Sequence, residues 1–180
     1  PAPADTFGIS VDGAASPFGT PQAQLVRIGI QGVPIDAAQR QPAVITLVVD
    51  VSGSMAEANR LPLVQASLRL LVEQLGPGDT VALVTYGDTA RVVLEPTAAT
   101  DERVLRAIDA LTPGGSTNAE AGLQLGYEVA GRAYDPEKSN RVILSSDGVA
   151  NVGATGPAAI LRTIGERADQ GVFLTTVGFG

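Results

Sequence analysis

From residue 43 to residue 180, the hydrophobic positions alternate between two spacings. Residues 43–49 form an unbroken apolar run that ends at Asp50, as expected for a parallel strand buried on both faces. Between residues 61 and 75 the apolar positions recur at helical spacing instead, which predicts an amphipathic helix. This strand-then-helix pattern is the first half of a βαβ unit.

The alternation continues along the rest of the chain. The link at Gly87-Asp88 is too short for a parallel crossover, so the strand at 91–94 should run antiparallel to the strand before it. The pattern therefore predicts a doubly wound, mostly parallel α/β sheet with one antiparallel edge strand, which stops after its fifth core strand. The further predicted strands are 80–86, 141–146 and 171–177, and the further helices begin near Thr100, near Thr117 and at Pro157.

Residues 1–41 have a different pattern. Phe7, Ile9 and Val11 alternate with small or polar residues, and so do Val26, Ile28 and Ile30. Period-two apolarity indicates half-buried strands, and the Pro- and Gly-containing segment 16–21 is expected to connect them. The sequence thus predicts a β-rich extension over residues 1–41, followed by the α/β domain over residues 42–180.

Composition narrows the possible functions. The chain has 180 residues, a net charge of −7, no Cys and no His, and its single lysine is Lys138. Without Cys and His, zinc sites, thiol nucleophiles and Ser-His-Asp relays are excluded. Without a basic cluster, nucleic acid is not an expected partner. The longest apolar runs fall far short of the ~20 residues of a membrane span. The acidic, lysine-poor composition favours an extracytoplasmic location in a bacterium.

Three short oxygen-rich strings lie at predicted strand ends or helix starts: residues 50–54, 114–117 and 146–148. Each alone is typical of a turn. In an open α/β sheet, however, ligands bind at the carboxyl ends of the strands where the strand order reverses. If the strands ending at Asp50 and Ser146 are neighbours there, Asp50, Asp147 and Thr117 converge on one crevice.

A cation is expected at that point. Two carboxylates ~5 Å apart repel by about 3 kcal/mol at an effective dielectric constant of ~20. Ser52, Ser54 and Thr117 add neutral oxygen donors, and this mixture suits Mg²⁺, with Mn²⁺ as a possible substitute. Ca²⁺ is less suited, because it prefers more carboxylates and more ligands.

The combination Asp50-x-Ser52-x-Ser54, Thr117 and Asp147 resembles the metal-ion-dependent adhesion site of the von Willebrand factor A domain family, in its bacterial branch. The resemblance covers residues 43–180. It implies that Ser52, Ser54 and Thr117 bind the metal directly, and that Asp50 and Asp147 hold coordinating waters or that one of them binds directly. It also implies that an Asp or Glu of a partner protein supplies the last ligand.

Two other functions remain open. Such domains also serve as accessory subunits that present clients to ATPase assemblies. An Asp after a buried strand also begins phosphohydrolases of the haloacid dehalogenase type, but these need a second Asp where this chain has Ser52. No Gly-x-x-x-x-Gly-Lys phosphate loop is present. The expected function is therefore a binding module and not an enzyme.

Smaller expectations concern residues near these strings. Thr100 is expected to cap one helix, and Thr117 or Ser116 another. Asp79 and Asp88 are expected to be turn residues, and Arg60 and Arg91 can line the rim of the site. Asn151 is expected to shape the loop that follows Asp147.

Overall fold

The computed structural model describes residues 7–20, 22–32, 40–148 and 157–180. Asn151 lies outside these residues. The chain divides into two compact units, Pro1–Arg40 and Gln41–Gly180. No helix in the described ranges combines the length and the apolar character needed to cross a bilayer.

The first unit is a β-hairpin. Strands β1 (Phe7–Ala15) and β2 (Gln24–Gly32) pair antiparallel, with Ile9 opposite Ile30 and Val11 opposite Ile28. Because side chains alternate between faces along a strand, this register places these four apolar residues on one face of the hairpin. The period-two pattern therefore predicted the strands and their shared apolar face. The expected half-burial was wrong, because these four side chains are 62–73% exposed.

The second unit is a three-layer α/β domain whose sheet has five strands in the order β5-β4-β3-β6-β7. Strand β5 runs antiparallel to β4, and every other pairing is parallel. The predicted fold class is confirmed, including the antiparallel edge strand. The elements of this unit are β3 (Ala43–Asp50), α1 (Leu61–Glu73), β4 (Thr80–Tyr86), β5 (Ala90–Ala98), α2 (Glu102–Asp109), α3 (Ala119–Arg132), β6 (Ser139–Ser146), α4 (Pro157–Asp169) and β7 (Val172–Gly178).

Strand β3 lies at the centre of the sheet and is buried on both faces. Alternate β3 side chains, such as Leu47 and Val49, pack with residues of α1 and α2 on one face, whereas Val48 packs with residues of α3 on the other. An unbroken apolar run is required here because both faces are covered, as the sequence pattern indicated.

Both predicted helix caps were wrong by one residue. Helix α2 is capped by Asp101, whose side chain accepts a hydrogen bond from the Arg103 amide, and not by Thr100. Helix α3 is capped by Asn118, whose side chain accepts from the Ala121 amide. Asp and Asn are at least as favourable as Thr at this position, so local sequence could not choose between adjacent candidates.

Candidate metal centre

The candidate site lies where the strand order reverses. β3 pairs with β4 on one side and with β6 on the other, so the tips of β3 and β6 are adjacent. Asp50 is the last residue of β3, and Asp147 directly follows the last residue of β6. The expectation that these two strands are neighbours at the reversal is therefore met, and their ends mark the place where a ligand of such a sheet is expected to bind.

The Asp50 carboxylate is fully buried, with 0% of the residue exposed. Its Oδ1 accepts a hydrogen bond from the Ser52 amide at 2.8 Å, and its Oδ2 lies 3.3 Å from the Ser146 hydroxyl, which donates to it. The second distance is long for an O–H···O bond, whose usual length is about 2.7–2.8 Å. Asp50 is thus held in place by one good bond from its own loop and one weak bond from β6.

The loop after Asp50 turns the Ser52 and Ser54 side chains toward each other. Their hydroxyl oxygens lie 3.1 Å apart, and residues Gly53–Ala56 form a short 3-10 helix. Met55 anchors this turn because its side chain is completely buried in the core. The two hydroxyls therefore form a pair, two positions apart along a turn that the core holds in place.

The loop that carries Thr117 is joined to the Asp50 loop by the backbone. The Gly53 amide donates to the Gly115 carbonyl at 2.9 Å, and the Gly114 amide donates to the Val51 carbonyl at 2.6 Å. Thr117 itself is half-buried. The structure brings its loop to the site, while the role of its hydroxyl stays a prediction.

Asp88 braces the same loop from β4. Its Oδ1 accepts from the Ser116 amide at 2.7 Å, and hydrogen bonds from the Ser116 side chain and backbone lower the pKa of the Asp88 carboxyl. Gly115 adopts φ +82°, and a Cβ there would lie 2.5 Å from Asp88 Oδ2. Asp88 is therefore not simply a turn residue, as the sequence suggested, but a link between two loops.

Asp147 is engaged by a cation from its own chain. Its side chain is 1% exposed, and its Oδ2 accepts a hydrogen bond from Arg60 Nη1 at 3.1 Å. The same nitrogen donates to the Ser54 carbonyl oxygen at 2.7 Å. Arg60, expected at the rim, thus bridges the loop after β3 and the tip of β6.

Tyr86, the last residue of β4, underlies the site. Its ring is fully buried, and its hydroxyl has no well-formed hydrogen bond among the described residues. Burial raises the pKa of the Tyr86 hydroxyl far above its usual range. The nearby Ser146 hydroxyl lowers this pKa, whereas the Asp50 and Asp147 carboxylates raise it further. Both aspartates therefore lie close to the same phenol.

A glycine on α3 permits this arrangement. A Cβ at Gly122 would lie 2.5 Å from Tyr86 Cδ1, which is far inside van der Waals contact. Only a residue without a side chain allows α3 to pack against the Tyr86 ring at this distance. From the sequence, Gly122 is only a weak helix former. Its close contact with Tyr86 is visible only in the packed structure.

The donor set at the site is chemically suited to a hard cation. It holds two buried carboxylates and the hydroxyls of Ser52 and Ser54, with the Thr117 loop beside them. Oxygen donors of this kind are those that Mg²⁺ and Mn²⁺ use. Within the described ranges, no group of three or more acidic, His or Cys side chains is placed to hold a metal. Hydroxyls would therefore have to supply part of any coordination shell.

Comparison with known proteins identifies the domain. The sequence profile described as von Willebrand factor type A domain matches residues 45–149. The chain belongs to this family. The Escherichia coli K12 protein YfbK is 34% identical over 175 residues, which are 97% of this chain but only 30% of YfbK. The chain thus spans less than a third of that relative.

Solved structures show the same von Willebrand factor type A fold. A von Willebrand factor type A structure from Catenulispora acidiphila has a TM-score of 0.64 and 19% identity, covering 96% of this chain and 40% of that one. The manganese-loaded Plasmodium vivax TRAP protein has a TM-score of 0.60 and 23% identity, covering 78% of this chain and 58% of that one. At these identities the likeness concerns the fold alone.

Proposed function

We propose that this domain is a divalent-cation-dependent protein-binding module, with Mg²⁺ as the preferred ion and Mn²⁺ as a substitute. The observation that carries the proposal is the pair of buried carboxylates at the tips of β3 and β6. Asp50 is 0% exposed and the Asp147 side chain is 1% exposed. Arg60 pairs with Asp147 and offsets one of the two charges, so one buried negative charge is left that a bound dication would neutralise.

Each residue of the site has a distinct part in this proposal. Ser52, Ser54 and Thr117 would hold the ion through their hydroxyl oxygens, and Asp50 and Asp147 would hold its waters or bind it directly. One dication balances two carboxylates, so the loaded site can accept one further negative charge. The ligand would then be an exposed Asp or Glu of a partner protein. The choice of ion rests on the oxygen donors of the site.

The alternative of a phosphohydrolase has less support. Such an enzyme would need a general acid two residues after Asp50, and Ser52 at that position is buried and paired with the Ser54 hydroxyl. A serine hydroxyl is a poor proton donor at neutral pH. We therefore infer a binding function without catalysis, and sustained release of phosphate from phosphate esters would contradict it.

Calorimetric titration of Mg²⁺ into the metal-stripped protein tests the proposal. We expect Asp50→Ala to weaken binding by at least about 100-fold, because it removes a charge at the site. Asp50→Ala should stay folded, although its metal-free form should lose about 1–3 kcal/mol, because the Ser52 amide loses its acceptor.

Asp109→Ala is the matched control. It also removes one aspartate, which pairs with Arg69 on the surface, where the Asp109 side chain is 42% exposed. This variant should bind Mg²⁺ like the wild type. Equal Mg²⁺ affinity of the wild type and Asp50→Ala, or no binding by either, would refute the proposed function.

A further inference from the structure

Arg60 stands at a position where the local helix does not favour it. It is the N-cap residue of α1, and its side chain makes no capping hydrogen bond. N-caps prefer Ser, Thr, Asp or Asn, and the positive end of the helix dipole disfavours a cation there. A residue that is unfavourable for its local structure is expected at functional or strained sites.

The Arg60 side chain is directed into the candidate site. Nη1 bonds both the Asp147 carboxylate and the Ser54 carbonyl oxygen, and the side chain is 24% exposed. Its Nε is buried and has no hydrogen-bond partner among the described residues. One N–H of the guanidinium thus loses its hydration, which costs free energy. We attribute the position of the side chain to its contact with the Asp147 carboxylate, which offsets that cost.

The charges around the site follow from this geometry. Asp50 and Asp147 contribute −2, and Arg60 contributes +1, so the site without metal carries a net charge of −1. With a bound dication the same set becomes +1. A site without Arg60 would carry −2 and 0 in the two states. Arg60 therefore opposes the entry of the metal and favours an anion once the metal is bound.

We propose that Arg60 is a built-in counter-charge for Asp147 that weakens binding of the divalent cation alone and strengthens capture of a carboxylate by the loaded site. Arg60 would thus act in opposite directions on the two binding steps, against the metal and in favour of the acidic ligand. This inference rests on the proposed function, because it concerns the same cation and the same class of ligand.

The test compares Arg60→Gln with the wild type by titration of Mg²⁺ at low ionic strength, where charge effects are least screened. Removing the competing cation should tighten Mg²⁺ binding roughly tenfold, since a tenfold change corresponds to only about 1.4 kcal/mol. Arg60→Lys keeps the charge and should bind Mg²⁺ with nearly wild-type affinity.

Arg69→Gln is the matched control. Arg69 also pairs with an aspartate, Asp109, but this pair is solvent-exposed and Arg69 lies nine positions further along the same helix region. It removes the same net charge from the protein and should leave the Mg²⁺ affinity unchanged. Unchanged or weaker Mg²⁺ binding by Arg60→Gln would overturn the proposal. Weaker binding would show instead that Arg60 only positions Asp147.

A second measurement tests the effect on the anion. With Mn²⁺ at saturation, acetate is added and displacement of metal-bound water is followed by water-proton relaxation. Acetate should bind several-fold more weakly to Arg60→Gln than to the wild type, and equally to Arg69→Gln. Equal acetate affinity in the wild type and Arg60→Gln would overturn the proposed role of Arg60 in anion capture.

A third measurement needs no metal, so it separates this inference from the proposed function. In chelator, Arg60→Gln should melt below the wild type, because it leaves Asp147 buried without its cation. If the wild type binds no Mg²⁺, the proposed function fails, yet a lower melting temperature of Arg60→Gln still supports the pairing. An unchanged melting temperature in chelator would refute the counter-charge itself.

Discussion

Two buried aspartates lie at opposite ends of the same parallel sheet, and their surroundings differ. Asp79 is 1% exposed and precedes β4, where its Oδ1 accepts from the Ala43 amide and its Oδ2 from the Gly76 amide, both at 2.7 Å. Asp50 is 0% exposed at the other end, with one amide bond of 2.8 Å and one hydroxyl at 3.3 Å.

The difference separates a carboxylate that the fold compensates from one that we propose to act at a metal site. Each oxygen of Asp79 has a short bond from a backbone amide, so its charge is compensated by the fold itself, and it is more than the turn residue expected from sequence. Asp50 has weaker compensation and a second buried carboxylate, Asp147, near the same tyrosine hydroxyl. Burial alone does not mark a site, whereas burial with incomplete hydrogen bonding does.

The largest expected effect on the free energy of unfolding comes from removing the Asp79 carboxylate. Asp79→Ala leaves the Ala43 and Gly76 amides without their acceptor, and at about 1–3 kcal/mol for each unsatisfied group it should destabilise the domain by about 4 kcal/mol. For a chain of this size the melting temperature should fall by about 10 °C, measured by thermal unfolding.

The same variant sharpens the comparison when Mg²⁺ is added. If Asp79 is purely structural, Asp79→Ala should gain the same Mg²⁺-dependent stabilisation as the wild type, about 2.7 kcal/mol at a hundred times Kd. If Mg²⁺ does not stabilise Asp79→Ala, the two ends of the sheet are coupled. The distinction between Asp79 and Asp50 would then be invalid.

Two substitutions at the start of α3, with effects of intermediate size, distinguish a helix cap from a metal ligand. Asn118→Ala should lower the free energy of unfolding by about 1 kcal/mol, because it removes the cap of that helix. Thr117→Ala should leave the free energy of unfolding nearly unchanged but reduce Mg²⁺ affinity in calorimetry. The opposite pattern would make Thr117 a structural residue and remove it from the site.

The smallest effect concerns Asp101, an aspartate whose role is helix capping. The hydrogen bonds and charge of Arg103 lower the pKa of its carboxyl to about 2, from an ordinary 3.8. A depressed pKa stabilises the fold above the ordinary pKa, and this contribution disappears as the pH falls through about 2. We expect the wild type to melt slightly above Asp101→Asn at pH 7 and to lose that difference near pH 2. A difference that persists there would contradict the pairing.

How much the sequence predicted depends on the range of the interaction. The apolar run ending at Asp50 and the short link after Tyr86 predicted the buried central strand and the antiparallel edge, because both follow from local pattern and chain length. The helix caps were missed by one residue each. Adjacent Thr and Asp or Asn residues compete for the same short hydrogen bond, and backbone geometry decides between them.

The order of the motifs along the chain also predicted which loops meet. Asp50 and Asp147 had to be adjacent once their strands were neighbours at the reversal, and the hydroxyls of Ser52 and Ser54 follow Asp50 by two and four residues. These are consequences of topology, so pattern and spacing were sufficient to place them.

The sequence by itself determined the fold class, the adjacency of the strand ends at Asp50 and Asp147, and the oxygen chemistry of the candidate donors. Only the tertiary structure decided which charges are compensated. The Arg60–Asp147 pair, the Asp88–Ser116 brace and the contact of Gly122 with Tyr86 join residues 87, 28 and 36 positions apart. Such contacts depend on how loops and helices pack around the finished sheet, and no local pattern encodes that packing.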